Sequence, residues 1–219
     1  MARKSSSRNG RGQRTLVVWC ALAMGIVGVG GVLAVLDRSP QSNLATGLPV
    51  LMASTDTPDL QSIFATIQKL DHSRWQAIVI HHTASPFATA QSLETQARAA
   101  GLTGLGHHFV IGNGNGIDDG HLNVGFRWMN QLPGAHAMGK NANWLNQHAV
   151  SICLVGDGNS KTFSESQMRR LVQLTNALAQ KLNIPADRVY LQNDLEPSMK
   201  SPGDFFPKAQ FRSQITASR

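Results

Sequence analysis

Two adjacent histidines, His81 and His82, close the apolar run Ala77-Ile78-Val79-Ile80. Such a short continuous run reads as a strand buried on both faces. The carboxyl end of a strand in an α/β sheet is where ligands bind. Side chains alternate along a strand, so one imidazole faces a site and the other faces packing. At neutral pH an imidazole can exchange a proton or bind a metal, and a hydrogen-bonded structural histidine is the competing use. His107 and His108 open the next apolar run, Phe109-Val110-Ile111, and His136 sits in Gly134-Ala135-His136-Ala137. His121 and His148 fall in loops, with His108 and His148 read as structural or surface residues. The chain holds 8 histidines, but neither HExxH nor a second metal-ligand spacing occurs among them.

Other chemistries find no support. The glycine-rich stretch 112–116 (GNGNG) lacks the GK[ST] of a phosphate loop and the helix of a dinucleotide loop. Counted as a calcium loop from Asn113, its twelfth position is Val124 rather than Glu, so the stretch reads as a hairpin turn. Asp118-Asp119 and Asp194 with Glu196 have no spacing that suggests a carboxylate pair for glycoside cleavage. No Ser-His-Asp or Cys-His nucleophile motif is present. Cys153, between Ile152 and Leu154, reads as a small buried hydrophobe. Two cysteines exclude a disulfide scaffold and a CxxC zinc site.

These residues must be positioned by elements that the periodicity predicts. Leu60, Ile63, Phe64 and Ile67 have helical spacing and predict a helix over 59–70. A strand over 77–80 is followed by a weakly amphipathic helix over 89–100 and a strand over 108–111. Residues 126–131 are expected to form its partner strand, and 150–155 (VSICLV) another buried strand. Ser164 and Gln167 match a capping box, with Phe163 placed to staple onto Met168. Met168, Leu171, Val172, Leu178, Ala179 and Leu182 then line one face of a helix that Pro185 ends, before a last strand over 188–191. The alternation predicts an α/β fold, a central mixed β-sheet flanked by helices.

The charge distribution sets a different kind of constraint. Of 20 Lys and Arg, five (Arg3, Lys4, Arg8, Arg11, Arg14) lie in the first fourteen residues, where there is no acid. Without them 15 basic residues face 13 acidic ones. The basic pI therefore reflects a short tail and not a nucleic-acid-binding face. Residues 15–36 carry no charge, a stretch of about 33 Å as a helix, enough to cross a bilayer core. Basic residues before it keep the N-terminus cytoplasmic and export the bulk of the chain. A cleaved signal peptide is the alternative, but the run is long for one and ends Ala34-Val35-Leu36-Asp37, a poor cleavage site. The expected organisation is a basic cytoplasmic tail at 1–14, a single transmembrane helix at 15–36, a Ser/Thr/Pro/Asn-rich linker at 37–57 and a folded domain at 58–219.

Several separated segments then occur in one order: IVIHHTA at 78–84, GLGHHFVI at 104–111, Phe126-Arg127-Trp128, Gly134-Ala135-His136-Ala137, NQHAVSICLVGD at 146–157 and PGDFFP at 202–207. Together they resemble the zinc-dependent N-acetylmuramoyl-L-alanine amidase type 2 family, which includes the peptidoglycan recognition proteins and phage-lysozyme-type amidases. The resemblance runs from about Trp75 to Phe211. It implies a groove for the peptide stem of peptidoglycan, with His82, Thr83, His107, Arg127 and His136 as substrate-binding residues. It also implies a zinc held by three ligands that activates water for attack on the lactyl-alanine amide.

On this resemblance His81 is the first zinc ligand. The second ligand position falls on Gln192, or on Asn193 with a different gap, and the third on Ser201. His107 replaces the family's tyrosine, and Lys200 lies one position from the catalytic lysine of some members; these two are the candidate catalytic residues. Amide and hydroxyl oxygens are poor zinc donors beside imidazole and thiolate. The expectation is therefore a membrane-anchored domain that binds peptidoglycan or muropeptides with little or no hydrolysis, with no cofactor, or with zinc if His107 or His136 rebuilds a site with His81. The alternatives are an active amidase with a rearranged site and a scaffold whose groove takes a protein. The topology has a direct check. An alkaline phosphatase fused to the C-terminus is expected to be active, and activity only of a cytoplasmic reporter there would overturn the orientation.

Overall fold

The apolar run before His81 and His82 becomes an interior strand. In a computed structural model of the chain, residues 60–215 are described. The basic tail, the apolar run at 15–36 and the linker at 37–57 lie outside them. Among the described residues no helix is long and apolar enough to cross a membrane. Strands β1 (Ala77–His82), β2 (Phe109–Ile111), β3 (Leu122–Val124), β4 (Ala149–Leu154) and β5 (Val189–Leu191) form one sheet of order β3-β2-β4-β1-β5. β1 runs parallel to β4 and β5, and β4 runs parallel to β2. The antiparallel β2–β3 hairpin makes the sheet mixed, with the glycine-rich stretch inside its connection. Helices α1 (Ala90–Ala99), α2 (Phe126–Met129), α3 (Ala142–His148), α4 (Glu165–Leu182), α5 (Gln192–Leu195) and α6 (Lys208–Gln214) complete the domain.

The two faces of the sheet differ. Ile78 and Ile80, Ile152 and Leu154, Phe109 and Ile111, and Val189 and Leu191 point into the main core. There they meet Leu171, Leu174, Leu178, Ala179 and Leu182 of α4. The capping box forms as the sequence predicts: Ser164 Oγ accepts from Gln167 N–H, and Gln167 Oε1 accepts from Ser164 N–H. Asn183, left-handed at φ 56°, closes the helix two residues before Pro185. The opposite face carries two smaller apolar groups. One comprises Ala77, Val79, Ala149 and Leu145, the other Ala88, Val110, Ile117, Cys153 and Val155. Because Val79 pairs with Ser151 and His81 with Cys153, alternation puts Ser151 and His81 on this second face.

Two sequence expectations are corrected. Residues 59–70 do not form a helix; only a 3-10 turn at Ser62–Phe64 is present. Ile63 is buried there, whereas Ile67 is 68% exposed, and the N–H groups of Ile67 and Gln68 donate to Met129 O. The segment is held by α2 rather than by its own ladder, since Trp128 Nε1 donates to Ile63 O. Residues 126–131 are not the partner strand of β2; β3 takes that role, and 126–129 form α2. Gly125 N–H donates to His108 O and ends the ladder, and the helical turn then puts Trp128 into the core.

The loop after β5 returns to the end of β1. Ser201 O accepts from Asn193 N–H, Ser201 Oγ accepts from His82 N–H, and Phe205 N–H donates to Gly158 O. Gly203 sits at φ +106° with the Gly158 backbone so close that a Cβ would lie 2.1 Å from its carbonyl carbon. Only glycine fits this crossing. Leu171 is fully buried beneath the sheet. Leu171→Ala is expected to cost about 2–5 kcal/mol in denaturant unfolding. A loss under about half a kcal/mol would mean that α4 does not seal the core.

Candidate active site

Side-chain alternation separates the two histidines of β1. His81 lies on the face away from α4 and is 2% exposed. His82 turns to the other side, where its Nδ1 accepts from Gly158 N–H at 3.0 Å and stands 3.9 Å from Asp157. Pairing of Ile80 with Leu191 brings the next residue of each strand together, so Gln192 stands beside His81. His81 Nδ1 lies 3.0 Å from Gln192 Oε1. An amide oxygen only accepts, so His81 carries its proton on Nδ1 and leaves Nε2 as a bare lone pair. Asn193, the other register for this position, does not reach His81; its N–H is held by Ser201 O.

Two more imidazoles close on His81. The ring centroids of His107 and His136 lie 5.0 and 4.9 Å from that of His81, and 6.1 Å from each other. His107 Nδ1 is 2.6 Å from Ser151 Oγ. His108, fully buried, donates from Nε2 to Leu132 O and accepts Ser151 N–H on Nδ1, a structural histidine as read from the sequence. The loop carrying His136 is pinned by Asn146, whose Oδ1 accepts from both His136 N–H and Ala137 N–H. Neither ring nitrogen of His136 has a hydrogen-bond partner, and His81 Nε2 has none. Gly134 is required here, because a Cβ would come within 2.4 Å of the His136 ring.

The remaining candidates are placed differently. Thr83 Oγ1 donates to Ser85 O and accepts from Gly156 N–H, locking the turn after β1. Arg127 is 8% exposed, and its guanidinium donates to Leu105 O, Pro133 O and Thr103 Oγ1. It thereby ties the segment before His107 to the segment before His136, which positions the cluster. Lys200 is exposed and makes no hydrogen bond or ion pair among the described residues. Ser151 was missed in the sequence as a site residue. The signal was its hydroxyl, the one polar side chain inside the apolar run VSICLV, two positions from Cys153 and on the face of His81.

Residues 71–204 match the family model for N-acetylmuramoyl-L-alanine amidase. The chain belongs to this family. Among solved structures, the endolysin N-acetylmuramoyl-L-alanine amidase LysCS from Clostridium intestinale is similar at 27% identity and a TM-score of 0.57, over 67% of this chain and 87% of that one. Drosophila PGRP-LB is 20% identical, with a TM-score of 0.51 over 67% of this chain and 88% of that one. The peptidoglycan recognition protein PGRP-SA of Apis mellifera is also 20% identical, with a TM-score of 0.51 over 63% and 81%. These two share the fold. Among curated proteins none matches significantly.

A zinc of the kind this family uses does not fit the residues at its positions. His81 Nδ1 already donates to Gln192, and Ser201 Oγ already accepts from His82 N–H. A carboxamide and a neutral hydroxyl are weak donors to zinc. Among the described residues no group of three His, Cys, Asp or Glu side chains is arranged to hold a metal ion.

The imidazoles are neutral at pH 7. Burial pushes His81 well below the ordinary value of 6.5, reinforced by His107, while the Gln192 bond works the other way. Burial brings His107 and His108 down to about 4. His136 is also well below 6.5, mainly through burial and then through His81, His107 and His108. Between the folded and unfolded values the unfolded chain binds more protons, so this stability is complete above about 6.5 and lost as pH falls toward about 4. The lowered carboxylates (Asp71, Asp157, Asp194, Glu94) act only below about 4.5. The midpoint of thermal unfolding is expected to fall steadily between pH 6.5 and 5. A flat profile across that interval would mean that the cluster is hydrated and protonates freely.

Proposed function

We propose that this chain is a membrane-anchored, exported peptidoglycan-binding protein of the amidase family that engages muropeptides with little or no hydrolysis. The observation that carries the reading is the chemistry at the ligand positions. Gln192 and Ser201 stand where zinc ligands are expected, and both are engaged in hydrogen bonds to β1. A His81 left without two strong partners keeps little of the about 10–16 kcal/mol that a complete structural zinc site provides. Peptidoglycan as the ligand class is supported by the family and by the polar cluster on the second face of the sheet, where His81, His107 and His136 meet. Anchoring rests on the basic residues before the uncharged run at 15–36.

A working amidase with a rearranged site is the second reading. The meeting of three imidazoles within 4.9–6.1 Å favours it, because His107 and His136 bring further imidazole nitrogens close to His81.

Metal analysis separates the two. The purified full chain is expected to carry far less than one zinc and to release no peptide from muropeptides, with or without added zinc. The double variant Q192H/S201C is expected to bind zinc, and each single variant far less, since ligands of one metal act as a unit. Stoichiometric zinc in the unaltered protein, with His81→Ala removing both metal and hydrolysis, would establish the enzyme instead. Tight binding to a protein with no measurable affinity for any peptidoglycan fragment would point to a scaffold.

A further inference from the structure

The bond to His81 uses only one end of the Gln192 carboxamide. A carboxamide is planar, with an acceptor oxygen and a two-proton donor nitrogen on the same carbon. The proton on His81 Nδ1 fixes Oε1, and fixing Oε1 fixes the direction of Nε2. Gln192 is 8% exposed. Among the described residues nothing accepts from its amide nitrogen, and that atom is not among the sealed, unpartnered ones, unlike Nε2 of His81. The residue is therefore a nearly buried side chain, locked at one end, that offers a donor at the other. It stands at the carboxyl end of β5, beside His81.

We infer that the Gln192 amide N–H2 is a ligand-reading donor that binds an amide carbonyl oxygen of the muropeptide beside His81. This rests on the muropeptide reading above. A donor held rigidly among buried side chains selects an acceptor, and amide carbonyls are the recurring acceptors of a peptide stem. The hydrogen bond would orient the carbonyl without activating it, consistent with binding in the absence of hydrolysis. The neighbouring Ser201 is not equivalent, because its oxygen already accepts from His82 N–H.

Glu in place of Gln192 separates the two ends of the amide. A carboxylate oxygen still accepts from His81 Nδ1–H, but the donor becomes a negative acceptor facing the ligand carbonyl. Titration of the full chain in detergent with N-acetylmuramyl-L-alanyl-D-isoglutamine is expected to show binding that Q192E weakens by about tenfold or more. N-acetylglucosamine, which keeps the acetamide but lacks the lactyl group and every amide of the stem, is expected to bind the two forms with similar, weaker affinity. If the unaltered chain binds the muramyl peptide and Q192E binds within twofold, the Gln192 inference is wrong and the muropeptide reading stands. If the unaltered chain does not bind any muramyl peptide, both fail together. Nitrogen-15 NMR of the unaltered chain supplies a test that needs no variant. His81 is expected as the Nδ1–H tautomer, and the Gln192 side-chain N–H2 signals are expected to shift on ligand addition. An Nε2–H tautomer at His81, or Gln192 signals unmoved at saturation, would overturn the inference.

Discussion

The parallel pairing of β1 with both β4 and β5 is the constraint on which the site depends. It puts three carboxyl ends side by side and removes water from the backbone between them. Any polar side chain on the inner part of β1 must then find a partner within the protein, since an unsatisfied buried group costs about 1–3 kcal/mol. His81 finds Gln192 because the β1–β5 register, with Ile80 opposite Leu191, sets the next residue of each strand side by side. The same register delivers Ser201 to His82 N–H by way of the loop after β5.

The second face of the sheet explains why the cluster survives as a polar island. Its apolar content is split between a group around Val79 and Leu145 and a group around Val110 and Cys153. The imidazoles stand between them, against the single hydroxyl of Ser151. Charged side chains would be costly there, and the histidines avoid this cost by staying neutral. Arg127 is a strongly basic group close by, and three oxygen acceptors hold it against the chain segments that carry His107 and His136. Its charge lowers the pKa of His107 further, after burial and His108.

Where the sequence was legible, local and global signals agreed. The helix at 165–182 announced itself through a capping box, which forms as read, and an apolar stripe, in which Leu174 joins the buried face and Met168 and Val172 are only partly buried. The buried strands were visible as short apolar runs, and His81 could be assigned a place because it ended one. Residues 59–70 misled because their apolar residues dock without a helix: Ile63 is buried, Leu60, Phe64 and Leu70 pack partly buried against the core, and Ile67 stays exposed. Phe126-Arg127-Trp128 has the aromatic content of a strand, yet Arg127 needs acceptors that only a helical turn brings within reach. At the site, His136 and His107 could be named from their segments, but their approach to His81 depends on Gly134, Asn146 and Arg127, which are far apart in sequence. Ser151 carried a signal that is weak in isolation, a hydroxyl within a buried strand.

On the reading proposed above, hydrogen bonds do the tethering that a metal does in a zinc protein. In a zinc protein, coordination ties the loop after the last strand to the first strand, at apparent energies of about 10–16 kcal/mol for structural sites. Here the same loop is tied by Gln192 to His81, by Ser201 to His82, by Asn193 to Ser201 and by Phe205 to Gly158. Each such bond contributes about 0.5–1.5 kcal/mol net, so together they supply a modest fraction of a metal's contribution. The close Gly158–Gly203 crossing adds a steric lock that needs no ligand. The bonds are also directional where a metal is not. Zinc would draw lone pairs from every neighbour toward one point, whereas the Gln192 amide turns its oxygen to His81 and its nitrogen elsewhere. On the reading proposed above, a carboxamide in the place of the metal exchanges a positive centre that would polarise a carbonyl for a neutral donor that would position one.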